Sequence, residues 1–150
     1  MAQTSNAAVT GTLSISDTPA YVLFDTSASM SFITPPFVER AGLVLCQLDK
    51  VIEVSSPLGS KILTDSGVRG CVISFGGHEL VANLIVLDVG EFDVILGMEW
   101  LSEWHATLDC FAKRVCFRPP SQTEFCYQGE QDSMVRSYVS AVRAERMIRR

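Results

Sequence analysis

VLFDTSASMSFI, residues 22–33, ends an apolar run on a single acidic residue, Asp25, and follows it with Thr26, Ser27, Ala28 and Ser29. The segment just before Asp25, AYVLF at 20–24, is apolar at successive positions, which is the pattern of a strand buried on both faces. An ionised carboxylate at the end of such a strand costs several kcal/mol unless it is hydrogen-bonded or shares a proton with a second acid. The small residues after it let backbone close around the carboxylate. Two readings stand at this point: Asp25 caps a turn by accepting the N–H groups that follow it, or it is kept for chemistry.

Working outward, the chain of 150 residues suits one domain with a core that needs no staples. Hydrophobic residues make up 47% and charged residues 19%, the balance of a compact globule and not of a disordered tail. No apolar run reaches the roughly 18 to 20 residues needed to cross a bilayer. The first residues, MAQTSNAAVTG, have neither the basic region nor the apolar stretch of a signal peptide. The expectation is therefore a cytoplasmic protein without a membrane partner.

Five cysteines, Cys46, Cys71, Cys110, Cys116 and Cys126, show no CxxC or CxxxH spacing. In a reducing compartment they read as small buried hydrophobes, in preference to zinc ligands or a disulfide framework. His78 and His105 are far apart and near no cysteine pair, so neither a metal nor a cofactor is expected. Residues 136–150 hold five arginines against one glutamate, which puts +4 on this tail and −9 on the remainder of a chain whose formal net charge is −5. A basic tail can touch nucleic acid or lipid. No aromatic residues alternate with the arginines for base stacking, so a solvated helix or linker is the simpler reading and nucleic acid is disfavoured as a partner.

Strand signals dominate the rest. VTGTLSI at 9–15 alternates Val9, Gly11, Leu13 and Ile15 against Thr10, Thr12 and Ser14, the period of a half-buried strand, and SDTP then turns the chain. TPPFVERAGL predicts a short helix with Thr34 as N-cap, Pro35 in the first turn and Gly42 as the stop. VIEVSSPLGSKIL predicts a projecting hairpin turned around Ser56, Pro57, Leu58 and Gly59. GCVISFGGHELVANLIVLD predicts a second hairpin, with Gly76 and Gly77 supplying positive φ angles. FDVILG reads as a short buried strand, MEWLSEW as a helical turn or two, and ATLDCFAKRVCF as a last hairpin through Ala112 and Lys113. From Pro119 the composition changes: 119–133 reads as a polar linker and 134–150 as a basic, amphipathic helix. The other acids are weaker candidates: Asp17, Asp65, Asp88 and Asp93 read as turn or edge residues, and Glu99 and Glu103 as solvated helix acids beside Trp100 and Trp104.

A second element decides between the two readings of Asp25. VILG at 94–97 is an apolar strand ending in Gly97 and running straight into MEWL. Taken together, VLFDTSAS and DVILGMEWL resemble the retropepsin-like aspartic proteases, in particular the protease region of plant Ty3/gypsy-type retrotransposon pol polyproteins. The resemblance covers most of the chain: NAAVTGTLSI is similar to the family's first strand, VIEVSSPLGSKIL to its flap, HATLDCFAKRVCF to the ending seen in plant elements, and SAVRAERMIRR to the connector toward a reverse transcriptase.

The resemblance implies an all-β, retropepsin-like closed barrel or sandwich with a flap hairpin and one or two short helices, over residues 1–118. It implies Asp25 as the catalytic residue, Thr26, Ser27 and Ala28 as the active-site loop, Pro57, Leu58 and Gly59 as the flap that covers substrate, and Ile95, Leu96 and Gly97 as the second structural motif. Its chemistry needs two carboxylates that share a proton. One such motif per chain implies a two-fold homodimer, with Thr26 bonding across the axis and a Gag-Pol-like polyprotein bound as an added strand, in the cytoplasm or in virus-like particles. Where the family has glycine after Asp-Thr, this chain has Ser27. Its Cβ disfavours the torsions that glycine tolerates, and its side chain can crowd substrate or add a hydrogen bond to the carboxylate. A retropepsin fold without catalysis, kept as a dimerisation or peptide-binding module or as an element remnant, is therefore the alternative.

Overall fold

In the computed structural model, which describes residues 8–55, 60–130 and 146–147, strands β1 (Ala8–Ile15) and β2 (Thr18–Asp25) pair antiparallel along their whole length, Ala8 opposite Asp25 and Ile15 opposite Thr18. Ser16 and Asp17 make the turn, both with positive φ, as a tight hairpin requires. Successive residues of β2 enter different apolar clusters. Val22 and Phe24 face a larger one with Phe37, Phe75, Trp100 and Phe117. Leu23 faces a smaller one with Phe32, Ile85 and Ile95. Burial on both faces, expected from the unbroken apolar run, is what the structure gives.

The remaining strands are β3 (Phe32–Ile33), β4 (Cys46–Ser55), β5 (Lys61–Phe75), β6 (His78–Val86) and β7 (Val94–Leu96). They extend the sheet in the order β1-β2-β7-β3-β6-β5-β4, and β1 also pairs with β5 through Ser14 and Ile15, so six strands form a ring-like sheet. Two short helices complete it. α1 (Pro35–Ala41) starts after Thr34, which caps by position without a side-chain hydrogen bond, and stops at Gly42 in the left-handed conformation. α2 (Met98–Glu103) follows β7 directly and buries Trp100 and Leu101. The architecture is thus mostly β, with the two short helices that the sequence predicts.

β4 and β5 form the hairpin expected over 51–63, with Ser55 opposite Lys61. Its tip, including Pro57, Leu58 and Gly59, lies outside the described residues. β5 and β6 form the second hairpin, with Phe75 opposite His78 and both Gly76 and Gly77 at positive φ.

Three expectations for the C-terminal part need correction. The last hairpin, β8 (Thr107–Asp109) and β9 (Arg114–Phe117), is joined by a longer connection than Ala112 and Lys113 alone, because Asp109 stands opposite Arg114. The segment from Pro119 is not simply a linker: β10 (Phe125–Gln128) pairs along β9, and Phe125 and Tyr127 pack against the larger core cluster. The polar flanks concealed a period of two in which Phe125 and Tyr127 turn inward. Tyr127 lies where a Cβ at Gly11 would stand, and its hydroxyl donates to the Thr12 carbonyl at 3.3 Å. Finally, Cys116 and Cys126 are directly opposed in the β9–β10 register and form a disulfide. Their separation in sequence carried no information about that register. The helix expected over 134–150 lies outside the described residues apart from Arg146 and Met147, which form a two-residue strand, β11 (Arg146–Met147), against Glu53 and Ile52.

Cys46, Cys71 and Cys110 are free thiols. Burial pushes the Cys71 thiol up to about 11, while Cys46 and Cys110 are half-exposed. Thiol labelling of the native, oxidised protein at pH 7 is therefore expected to modify Cys46 and Cys110 and spare Cys71. Reducing the Cys116–Cys126 bond is expected to lower the melting temperature by roughly 5 to 10 °C, the shift that a loss of about 2 to 4 kcal/mol gives in a domain of this size. Calorimetry with and without reductant checks it, and an unchanged transition would show that β10 is held by packing alone.

Candidate active site

The register of the parallel β2–β7 pair sets the geometry of the site. Phe24 stands beside Leu96, so the next residues, Asp25 and Gly97, emerge together where the two strands end. The motifs that the sequence holds some seventy residues apart meet here because both strands are apolar on both faces and can lie side by side only in the interior. Ile95 and Leu96 are buried within that strand.

Asp25 is fully buried. Its Oδ1 accepts two hydrogen bonds from Ser27, one from the backbone N–H at 2.9 Å and one from the side-chain hydroxyl at 2.6 Å. The N–H of Ala28 donates to the Asp25 carbonyl at 3.2 Å, which closes the turn. Ala28 is buried, and Thr26 and Ser27 are half-buried. Ser27 is not among the residues with positive φ, so the backbone strain expected of a Cβ at this position does not arise. The added hydrogen bond does: the serine hydroxyl takes up acceptor capacity on the carboxylate that a glycine would leave open.

Beyond the turn, the loop is fastened to the start of α2. The N–H of Met98 donates to the Ala28 carbonyl at 2.7 Å, and that of Glu99 to the Ser29 carbonyl at 3.1 Å. These are N–H groups with no partner inside the helix, and here loop carbonyls satisfy them. The contact is close enough that a Cβ at Gly97 would run into the carbonyl oxygens of Ala28 and Met30. Glycine at 97 is thus a requirement of close approach.

Ser31 and Glu99 belong to the same junction; sequence reasoning missed Ser31 and read Glu99 as a solvated helix acid. Ser31 is buried; its hydroxyl oxygen accepts the Gly97 N–H at 2.9 Å and its hydroxyl donates to Glu99 Oε1 at 2.5 Å. Glu99 is therefore more than a solvated helix acid. As a residue Glu99 is exposed on α2, but partial desolvation of its carboxyl beside the loop raises it above the ordinary range; the Ser31 hydroxyl and the Trp100 backbone act in the opposite direction, and Glu103 adds a smaller upward push. The available signal was a serine inside the otherwise apolar MSFI, where a lone hydroxyl needs a partner. Asp93, read as an edge residue, accepts the Tyr21 N–H at 2.8 Å and pairs with Arg40 at 3.3 Å, which joins β2, β7 and α1. Among the described residues no cluster of histidine, cysteine or acidic side chains is arranged to hold a metal ion.

Two expected outcomes follow from this packing. Gly97→Ala, which forces backbone apart where the loop meets α2, is expected to destabilise the fold by about 3 kcal/mol, measured by urea denaturation; a loss below about 0.5 kcal/mol would contradict the contact. Ser31→Ala removes a hydrogen bond that favours the ionised Glu99, so the Glu99 carboxyl titrates at higher pH in the variant. Carbon-detected NMR of the Glu99 carboxyl reads this directly, and an unmoved or lowered midpoint would contradict it.

The sequence pattern of the family described as "Retroviral aspartyl protease" matches residues 1–123. No curated protein matches the chain. Among solved structures, the retroviral protease-like domain of Ddi1 from Leishmania major is similar in fold, with a TM-score of 0.54 and 16% identity over 78% of this chain and 88% of that one. EIAV protease, solved in complex with the inhibitor HBY-793, is similar with a TM-score of 0.50 and 25% identity over 67% of this chain and 90% of that one. With the family pattern spanning most of the sequence and the retropepsin-like fold beneath it, this chain belongs to the retroviral aspartyl protease family.

Proposed function

We propose that the chain is an aspartic endopeptidase, active as a homodimer in which each copy supplies one Asp25, and that it processes a Gag-Pol-like polyprotein of a plant Ty3/gypsy-type retrotransposon. The observation that carries the reading is the placement of Asp25: a buried carboxylate at the end of β2, on a turn of small residues, fastened to Gly97 and the start of α2. Peptide hydrolysis by this chemistry needs one protonated carboxyl to polarise the scissile carbonyl and one ionised carboxylate to take a proton from the attacking water. A two-fold axis beside Asp25 brings the second acid from the partner copy, with Thr26 bonding across that axis. Substrate lies extended beneath the β4–β5 hairpin, whose tip carries Pro57, Leu58 and Gly59. On the β5 arm of that hairpin Ile62 and Leu63 are exposed on opposite faces, so one of them offers apolar surface to substrate side chains. The cytoplasm and virus-like particles are the compartments where such a polyprotein is processed.

Two observations favour a second reading, a retropepsin fold that has lost catalysis and persists as a dimerisation or peptide-binding module or an element remnant. The Ser27 hydroxyl occupies Asp25 Oδ1. Asp25 is also inaccessible to solvent, so water reaches it only if the surrounding segments part.

Purified protein, shown to be dimeric, is expected to cleave apolar-centred peptides between about pH 4 and 7, where one of two coupled carboxyls is protonated. Pepstatin-type inhibitors are expected to stop the cleavage, and Asp25→Asn to bring it to background. Ser27→Gly is expected to raise kcat/KM by roughly tenfold to thirtyfold, equivalent to about 1.4 to 2 kcal/mol of transition-state stabilisation. Full cleavage by Asp25→Asn would sink the protease reading. A dimer that is silent both as wild type and as Ser27→Gly would establish the second one.

A further inference from the structure

We infer that Ser31 and Glu99 are positioning residues for the Asp25 loop, acting together as a side-chain tether that fixes the loop's height against α2. The inference rests on the protease reading for its catalytic consequence, and on the junction itself for its structural one.

The argument starts from the donors and acceptors available. A serine hydroxyl has one proton and two lone pairs. At Ser31 one lone pair takes the Gly97 N–H, so the proton is free to point elsewhere, and it points at Glu99. Both ends of the bridge lie in the second motif, while its centre lies in the loop that begins at Asp25. The Ser31 carbonyl accepts the Ile85 N–H at 2.9 Å, which anchors this end of the loop to β6 as well. The loop is therefore held at Ala28 and Ser29 by backbone bonds and at Ser31 by a side-chain bridge between the two motifs.

The positions of these bonds suggest a division of labour. Backbone bonds to Ala28 and Ser29 are available to any residue but proline at 98 and 99, because each brings an N–H. The Ser31 bridge depends on side-chain chemistry at two positions, and it satisfies the N–H of Gly97, the residue whose missing Cβ lets the loop approach. Without the hydroxyl, a buried N–H is left without its acceptor, and the cheapest relief is a shift of Gly97 away from the loop. Such a shift moves the floor under Asp25. A catalytic carboxylate displaced by about 1 Å loses on the order of a hundredfold in rate, so the effect falls on kcat. Glu99 orients the hydroxyl through a charge-assisted bond, and burial together with Glu103 opposes its ionisation.

The test compares wild type, Ser31→Ala, Ser31→Thr and Glu99→Ala, with Glu103→Ala as the control outside the bridge, all assayed well below their melting temperatures. Ser31→Ala is expected to lower kcat by about tenfold to a hundredfold with KM within about threefold. Ser31→Thr, which keeps a hydroxyl, is expected to recover most of that loss. Glu99→Ala, a surface truncation that leaves the core intact, is expected to fall between them, and Glu103→Ala to match wild type. Hydrogen exchange at the Gly97, Met98 and Glu99 amides is measured on the same samples and is expected to speed up at least tenfold in Ser31→Ala. A Ser31→Ala protein with kcat within twofold of wild type, or one that changes KM alone, overturns the inference. Should the wild-type chain cleave nothing, the protease reading fails by itself and the exchange data decide the tether: faster exchange in Ser31→Ala supports it, and unchanged exchange overturns it.

Discussion

Two apolar strands that pair in parallel within the interior, β2 and β7, must both end where polar backbone can begin again, and the register of Phe24 beside Leu96 makes them end together. Asp25 and Gly97 are consequences of that ending. A carboxylate placed there is cut off from water and has to be held by nearby N–H and hydroxyl groups, which Ser27 supplies. A glycine placed opposite lets the loop and α2 approach until the helix's first N–H groups meet loop carbonyls. The same bonds that satisfy the helix start also tie the loop to α2.

Support for this junction comes from both faces of β2. On one side the ring cluster of Phe24, Phe75, Trp100 and Phe117 fills the space under the turn, and Tyr127 of β10 adds its ring 5.9 Å from that of Phe24. On the other side Leu23 packs among Phe32, Ile85 and Ile95. These rings contribute buried area, the Phe24 pairs meeting at a tilt and Trp100 meeting Phe117 edge to face. The disulfide between Cys116 and Cys126 holds β10 in place, so a segment outside the main sheet contributes to the packing behind the site.

Ser27 shows how one substitution in a turn divides into separable effects. The torsional objection to a Cβ does not apply, because the backbone at this position does not enter the left-handed region. The electrostatic effect remains, since the hydroxyl stands 2.6 Å from the oxygen that chemistry would need. The balance between protease and inactive fold therefore turns on a single hydrogen bond and on access to a buried carboxylate. The backbone of the turn is compatible with either.

Local pattern determined much of this protein. The doubly buried strand before Asp25, the hairpin turn at Gly76 and Gly77 and the short helix between Thr34 and Gly42 could be read from residue type and spacing, because each depends on the preferences of adjacent residues; that the Asp-Thr turn and the apolar segment ending in Gly97 belong together was implied only by the family resemblance. Tertiary structure alone decided what depends on register between distant segments. It set Cys116 opposite Cys126, turned Phe125 and Tyr127 of an apparent linker inward, and gave the hydroxyl of Ser31 to Gly97 and Glu99. A sequence states which groups need partners, but the partner across the fold is chosen by how strands align, and that alignment is a property of the whole core.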